Sequence, residues 1–375
     1  MCPLTRYPQQ QWNQPPPLSP AGHFGAPPPN QFSPPPQQFG APPPLPYGQQ
    51  NFGAPAQPSI GYGPQQIANI DMSRDVDALK KAMKGFGTDE KVLIRTLAKV
   101  DPIQMNTLRA QFKARVGRNL IENIEKETSG NFRLCLVQIA HGPLVGDCYT
   151  LCNAMKGLGT NEAALDDVLV GRSNADINAI KKEYQSVHKR TLESDLRGDL
   201  SGGTEQMYMM IIAARRQEDS APVNPQAIES DVTELHRSMG NIISKNSAAV
   251  CDILINRNDA QLRAIVQSYH QRFRVGLQSQ IQSKFSGHMK DALSLLIARA
   301  VDRPTAEAVR LEESMAGLGT RDELLVQRVV RCHWDHAFMR AVSDAYRHKY
   351  RKSLVKRIEG ETRGDYEKLL VACVS

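Results

Sequence analysis

Three stretches of this chain gather residue types suited to holding a hard cation. Residues 83–90 read MKGFGTDE, residues 155–162 read MKGLGTNE and residues 315–322 read MAGLGTRD. Each sets two glycines two apart, then a threonine, then an acid two positions on. Glycine reaches positive φ without a Cβ penalty, so a glycine pair can turn successive carbonyls towards one centre. Calcium takes six to eight oxygens at once, from carbonyls, carboxylates and water. Taken singly, such a loop reads equally well as a plain helix–helix turn.

A second landmark separates the two readings. An aromatic, a leucine eight later and a glycine ten after that recur four times: Phe112, Leu120, Gly130; Tyr184, Leu192, Gly202; Tyr269, Leu277, Gly287; and Tyr346, Leu354, Gly364. The chain is therefore four copies of one module of about 70 residues plus linkers. Three residues before each landmark glycine stand Glu127, Asp199, Lys284 and Glu361. The units with a glycine loop have an acid there. In the third unit the register puts the glycine positions at Ile242 and Ser244, inside GNIISKN, and the acid is replaced by lysine. A lysine places positive charge where a cation would sit. The paired loss ties loop and acid into one site. The fourth unit holds two extra residues between loop and aromatic, expected near RCHWDH (331–336).

The elements that must position these residues read as helices. Met72, Val76, Leu79 and Met83 fall at steps of four, three and four, one apolar stripe. Thr88 is read as an N-cap, with Asp89 and Glu90 in the first turn of the next helix. Asp101–Pro102 gives another start, a cap followed by proline at the first helical position. FRLCLVQIA (132–140) is apolar on more than one side, as a buried helix is. Strand alternation is scarce. The fold class expected is all-α.

Composition divides the chain sharply. Residues 1–66 carry 19 of the 24 prolines, one arginine and no acid, and repeat FGAPPP, FGAPPP and FGAPAQ. Such a segment has too few aliphatic side chains to offset backbone ordering, so it is read as a disordered tail with polyproline II tendencies. Its spaced Phe24, Phe32, Phe39, Tyr47, Phe52 and Tyr62 offer self-association or a partner groove. No run of 18 apolar residues spans a membrane, and no basic-then-apolar leader opens the chain. Seven scattered cysteines point to reduced thiols in the cytosol. The net charge of +7 favours anionic partners. No serine–histidine–acid or cysteine–histidine arrangement fits the repeats, so no enzyme is expected. The cluster HWDH (333–336) is read as a helix end around a half-buried Trp334, and RHKYRKSLVKR (347–357) as a solvated face.

The stretches MKGFGT…ETSG, MKGLGT…DLSG and MAGLGT…ETRG, set in four helical repeats, resemble the annexin family. The core is most similar to fungal members, and the proline/glutamine tail resembles that of long-tailed annexins. The resemblance covers roughly residues 70–375 and implies five helices per repeat in a slightly curved disc. It divides the chain into a tail (1–66) and repeats at 67–141, 142–217, 225–301 and 302–375. It implies calcium-dependent binding of acidic phospholipid. The ligands it implies are the carbonyls of Met83, Gly85 and Gly87 with the Glu127 carboxylate; Met155, Gly157 and Gly159 with Asp199; and Met315, Gly317 and Gly319 with Glu361. Secondary sites would use Thr88 and Glu90, Thr160 and Glu162, and Thr320 and Asp322. Two departures stand out: the third repeat lacks the elements, and Ala316 replaces Lys84 and Lys156. One carboxylate among carbonyls implies weak affinity, towards ~10⁻⁴ M, with positions left for water or a phosphate oxygen. Phe86, Leu158 and Leu318 would touch the membrane interface. The expected protein is cytoplasmic and peripheral on membranes when calcium rises. A tail-driven scaffold localised by the repeats is the competing reading, and a basic RNA-binding module a weaker one, since interleaved aromatics are missing.

Overall fold

The computed structural model describes residues 53–63, 66–85, 87–240 and 246–375. The tail up to residue 52, Phe86, and the Ile242 and Ser244 positions lie outside the described residues. Within residues 50–375, the described elements are twenty helices in four sets of five. The first repeat holds α1 (Ser73–Ala82), α2 (Glu90–Leu97), α3 (Pro102–Val116), α4 (Leu120–Glu127) and α5 (Gly130–His141). The second holds α6 (Pro143–Ala154), α7 (Glu162–Leu169), α8 (Asn174–His188), α9 (Leu192–Asp199) and α10 (Gly202–Ile212). The third holds α11 (Pro225–Met239), α12 (Ser247–Asn256), α13 (Asp259–Phe273), α14 (Leu277–Lys284) and α15 (Gly287–Val301). The fourth holds α16 (Arg303–Met315), α17 (Asp322–His333), α18 (His336–Tyr350), α19 (Leu354–Glu359) and α20 (Gly364–Val374).

The landmark residues are core and turn residues. Phe112, Tyr184, Tyr269 and Tyr346 are buried in the third helix of each repeat, and Leu120, Leu192, Leu277 and Leu354 are buried at the start of the fourth. Gly130, Gly202, Gly287 and Gly364 open the fifth helix at φ values of 60°, 59°, 57° and 69°. An L side chain is strained in that left-handed region, so glycine recurs there. The start signal at Asp101–Pro102 works as capping chemistry dictates. Asp101 and Gln104 form a capping box at the head of α3, with proline in its first turn. Helix α17 runs to twelve residues, against eight for α2 and α7: two come from the insertion and two from a following linker that shrinks from four residues to two. They fall at the end of the helix away from the glycine loop.

The repeats do not pack in chain order. One apolar core joins the second and third repeats, and another joins the first and fourth. In the second core, α5 and α20 pack against α17 and against each other. The first and last repeats thus share a module.

Disorder, expected through residue 66, does not extend that far: residues 53–63 lie on the second repeat and the connector after it. Ala54 N donates to Ser220 Oγ (2.9 Å) and Ser59 N to Asp176 Oδ1 (2.7 Å). Tyr62 is buried and its hydroxyl donates to Asp147 Oδ2 (2.5 Å). An aromatic with a buried partner recovers the ordering cost that the proline-rich stretch cannot.

His333, within the HWDH cluster, is buried at the end of α17, and its Nδ1 lies 3.1 Å from the Cys373 carbonyl. Trp334 beside it is half-buried, and Asp335 caps α18 by accepting from Phe338 N. Burial pushes the His333 imidazole down to about 4 from its ordinary 6.5. The unfolded chain keeps the ordinary value and binds the extra proton in that interval. This contribution to stability is therefore full above pH 6.5 and is lost as pH falls towards 4. Thermal denaturation of His333→Gln should show a shallower decline over the same interval than the parent chain; an equal decline would count against it.

Candidate functional site

Each glycine loop joins the first helix of a repeat to the second. Its ends are closed by one backbone hydrogen bond across seven residues. Asp89 N donates to Ala82 O (2.9 Å), Asn161 N to Ala154 O (2.8 Å) and Arg321 N to Ser314 O (2.8 Å). Between these ends the glycines turn left-handed: Gly85 and Gly87 at φ 109° and 85°, Gly157 and Gly159 at 92° and 85°, Gly317 and Gly319 at 101° and 84°. A Cβ built at any of the six meets nothing within 4 Å. Backbone conformation, not crowding, is what demands glycine there. Met83 and Met315 are buried and Met155 packs against the core, so each methionine side chain plugs the helix end.

The threonine does something the sequence reading missed. It is not the helix cap. The next residue is: Asp89 accepts from Val92 N (3.1 Å), Asn161 accepts from Ala164 N (3.2 Å), and Arg321 holds the same place without a side-chain cap bond. The freed hydroxyl reaches the end of the fourth helix. Thr160 Oγ1 donates to Asp199 Oδ2 (2.5 Å), Thr320 Oγ1 to Glu361 Oε2 (3.0 Å) and Thr88 Oγ1 to the Glu127 carbonyl (2.8 Å). Loop and acid, 39 to 41 residues apart in the chain, meet in all three repeats. The cap moved by one because Asp and Asn cap as well as threonine, and threonine has a second use.

The three sites differ in detail. In the first, Glu127 is exposed and the threonine holds its backbone. In the second, Asp199 is half-buried and its carboxylate itself is tethered. In the fourth, Glu361 accepts from Thr320 and also from Arg357. Glu90, Glu162 and Asp322 stand at the first position of α2, α7 and α17, where they complement the helix dipole. In the third repeat the closing bond runs from Asn246 N to Ser238 O (3.0 Å), across eight residues rather than seven. That loop is one residue longer as well as without the glycine pair, a change that gaps in a register hide. Met239 takes the helix-end place of Met83 there.

The donor set fits a hard cation. Among the described residues no cluster of three or more His, Cys, Asp or Glu side chains could hold a metal. A cation at these loops would draw on backbone carbonyls and one carboxylate, which is oxygen chemistry suited to calcium. The loop tips are open: Leu158 and Leu318 are the two most exposed large apolar residues among those described, with relative exposures of 108% and 109%.

Four five-helix repeats among the described residues, three of them with a glycine loop facing an acid, define a repeat protein with the annexin architecture. The annexin family model matches four segments, residues 74–139, 146–211, 230–296 and 306–373. The chain belongs to the annexin family. It is 41% identical to Annexin C1 of Cryptococcus neoformans var. grubii, over 82% of this chain and 66% of that protein. It is 34% identical to human Annexin A7, over 82% of this chain and 62% of that protein. The match thus spans just under two thirds of these relatives. Among solved structures, annexin III superposes with a TM-score of 0.78 at 28% identity, covering 84% of this chain and 99% of that one. A calcium-bound annexin (Sm)1 superposes at 0.72 and 26%, covering 83% and 92%.

Thr160→Val should release the Asp199 carboxylate and, if the second loop holds calcium, weaken that binding by about threefold to tenfold. Thr160→Ser should restore it. Calcium calorimetry on both variants measures this, and equal affinities would remove the hydroxyl's positioning role.

Proposed function

We propose that the protein binds membranes rich in acidic phospholipid through calcium held at the loops of its first, second and fourth repeats. The residues that would hold it are the carbonyls of Met83, Gly85 and Gly87 with Glu127, of Met155, Gly157 and Gly159 with Asp199, and of Met315, Gly317 and Gly319 with Glu361. Thr88 and Glu90, Thr160 and Glu162, and Thr320 and Asp322 are the weaker secondary sets. Bound calcium would supply positive charge between these oxygens and a lipid phosphate. The meeting of each glycine loop with its acid through a threonine hydroxyl carries the reading.

The chain's own residues do the rest. Left-handed glycines fix carbonyl direction at no side-chain cost. The tethered carboxylate is held before the cation arrives, so less ordering is lost on binding. Leu158 and Leu318 stand clear of the protein and can enter the headgroup boundary. The net charge of +7 adds attraction to an anionic surface, within a Debye length. Lys284 and the longer loop leave the third repeat out of this work. Recruitment would be peripheral and reversible, from the cytoplasm; none of the described helices is long and apolar enough to cross a membrane.

The test is pelleting with phosphatidylserine vesicles at raised and chelated calcium. The intact chain should pellet only with calcium, and Glu127→Ala, Asp199→Ala and Glu361→Ala together should abolish this. Calcium-dependent pelleting that survives the triple change would refute the ligand assignment. Leu158→Ala with Leu318→Ala should weaken pelleting by about tenfold or more, from roughly two buried leucines. Its calcium affinity in solution should stay unchanged. An unchanged vesicle affinity would show that the tips do not enter the membrane.

A further inference from the structure

The ligands of the fourth repeat are already engaged by a cation of the chain itself. Arg357 projects from α19, one helical turn before Glu361. Its Nη1 donates to Glu361 Oε1, its Nη2 to the Met315 carbonyl at 2.6 Å and its Nε to Glu312 Oε2 at 3.1 Å. One guanidinium thus spans the loop carbonyl and the acid that would together face a metal. Neither other glycine loop has this. The position four before the acid is Asn123 in the first repeat, Asp195 in the second and Gln280 in the third. The acid that steadies the arginine is equally particular. Glu312 lies three before the loop methionine, where the other repeats have Lys80, Cys152 and His236. The arginine and its carboxylate anchor occur together in one repeat only.

We propose that Arg357 is a built-in cation that closes the fourth loop, so that calcium engages it only when the guanidinium withdraws from Met315 and Glu361. This rests on reading the loops as calcium sites. A calcium ion on the same carbonyl and carboxylate would lie at contact distance from the guanidinium, and the repulsion of like charges makes their occupancy competitive. The arginine holds its place by charge-assisted bonds, the stronger kind. Glu312 gives it somewhere to stay, since Nε can keep that bond while the two terminal nitrogens leave. The backbone of α19 need not move. The fourth loop therefore fills at higher calcium than the first and second, and the protein responds to calcium in two stages.

The test uses the full chain carrying Glu127→Ala and Asp199→Ala, so that the fourth loop reports alone. Calcium is titrated by calorimetry, and the rise in melting temperature on adding calcium is measured beside it. Arg357→Met in this background should raise calcium affinity by about tenfold or more, as loss of a charge-assisted competitor implies. It should also enlarge the calcium-induced thermal shift. Glu361→Ala added to it should cancel both gains. Arg357→Gln serves as a second variant should the methionine change fail to fold, with the same expectation. Affinity and thermal shift within about twofold of the parent overturn the proposal, while calcium uptake by the intact chain leaves the loop reading standing. An intact chain that takes up no calcium sinks both.

Discussion

Asp167 is the residue on which the arrangement of the four repeats turns. It lies buried in α7 of the second repeat and accepts from Arg328 Nε (2.7 Å) and Arg310 Nε (2.8 Å) of the fourth, with Arg299 of the third at 4.0 Å. The three guanidiniums offset the cost of burial and hold its carboxyl down at about 2. Asp147, on α6, does the same work nearby, with Arg172 at 2.7 Å and Arg331 at 2.8 Å. Each apolar core is drawn almost wholly from one module, one of repeats one and four and one of repeats two and three, with Leu324 of the fourth repeat reaching into the other. Directional ion pairs between the two add the specificity that apolar contact lacks and so help fix their register. Removing one partner from such a cluster leaves an uncompensated buried charge, at about 3–5 kcal/mol.

The same network reaches the loops. Arg310 bonds both Asp167 and the Ala163 carbonyl, one residue past the first position of α7. Its own helix, α16, ends at Met315, where the fourth loop begins. Two loops from different modules thus hang from helices joined by one buried pair. Rigid support of this kind suits a site that borrows one carboxylate from a helix about 40 residues away, because small shifts of α9 or α19 would part acid from loop.

Much of this was legible in the sequence, and the reasons are physical. The aromatic–leucine–glycine spacing survives because each residue meets a demand no other type meets: core volume for Tyr184 or Phe112, and left-handed backbone for Gly202 or Gly130. The link between loop and acid was visible because the third repeat lost both together. What stayed hidden depended on alternatives that sequence weights equally. Thr160 and Asn161 are both good caps, and only the structure shows that Asn161 caps while Thr160 reaches Asp199. The ordered end of the tail was hidden because Tyr62 stands among prolines and glycines, and its partners Asp147 and Arg172 lie about 85 and 110 residues away in the second repeat. Arg357 did leave a trace. It sits one helical turn before the acid, in one repeat alone, but within a basic run that reads as a solvated face.

The four copies of one module have become four different devices. The first has an exposed acid, the second a tethered one, the third a lysine and a lengthened loop, the fourth an arginine laid across its ligands. Their distribution over the two modules matters. The first and fourth repeats share one core, the second and third the other, so each module keeps one glycine loop that, among the described residues, no internal cation closes. On the proposed reading, two such loops on a rigid body suffice for bivalent attachment, since the second contact forms at the effective concentration the first creates. A third loop adds affinity only where calcium is high enough to draw Arg357 away. Degeneration of the third repeat then costs little, because its module is already anchored through Asp199.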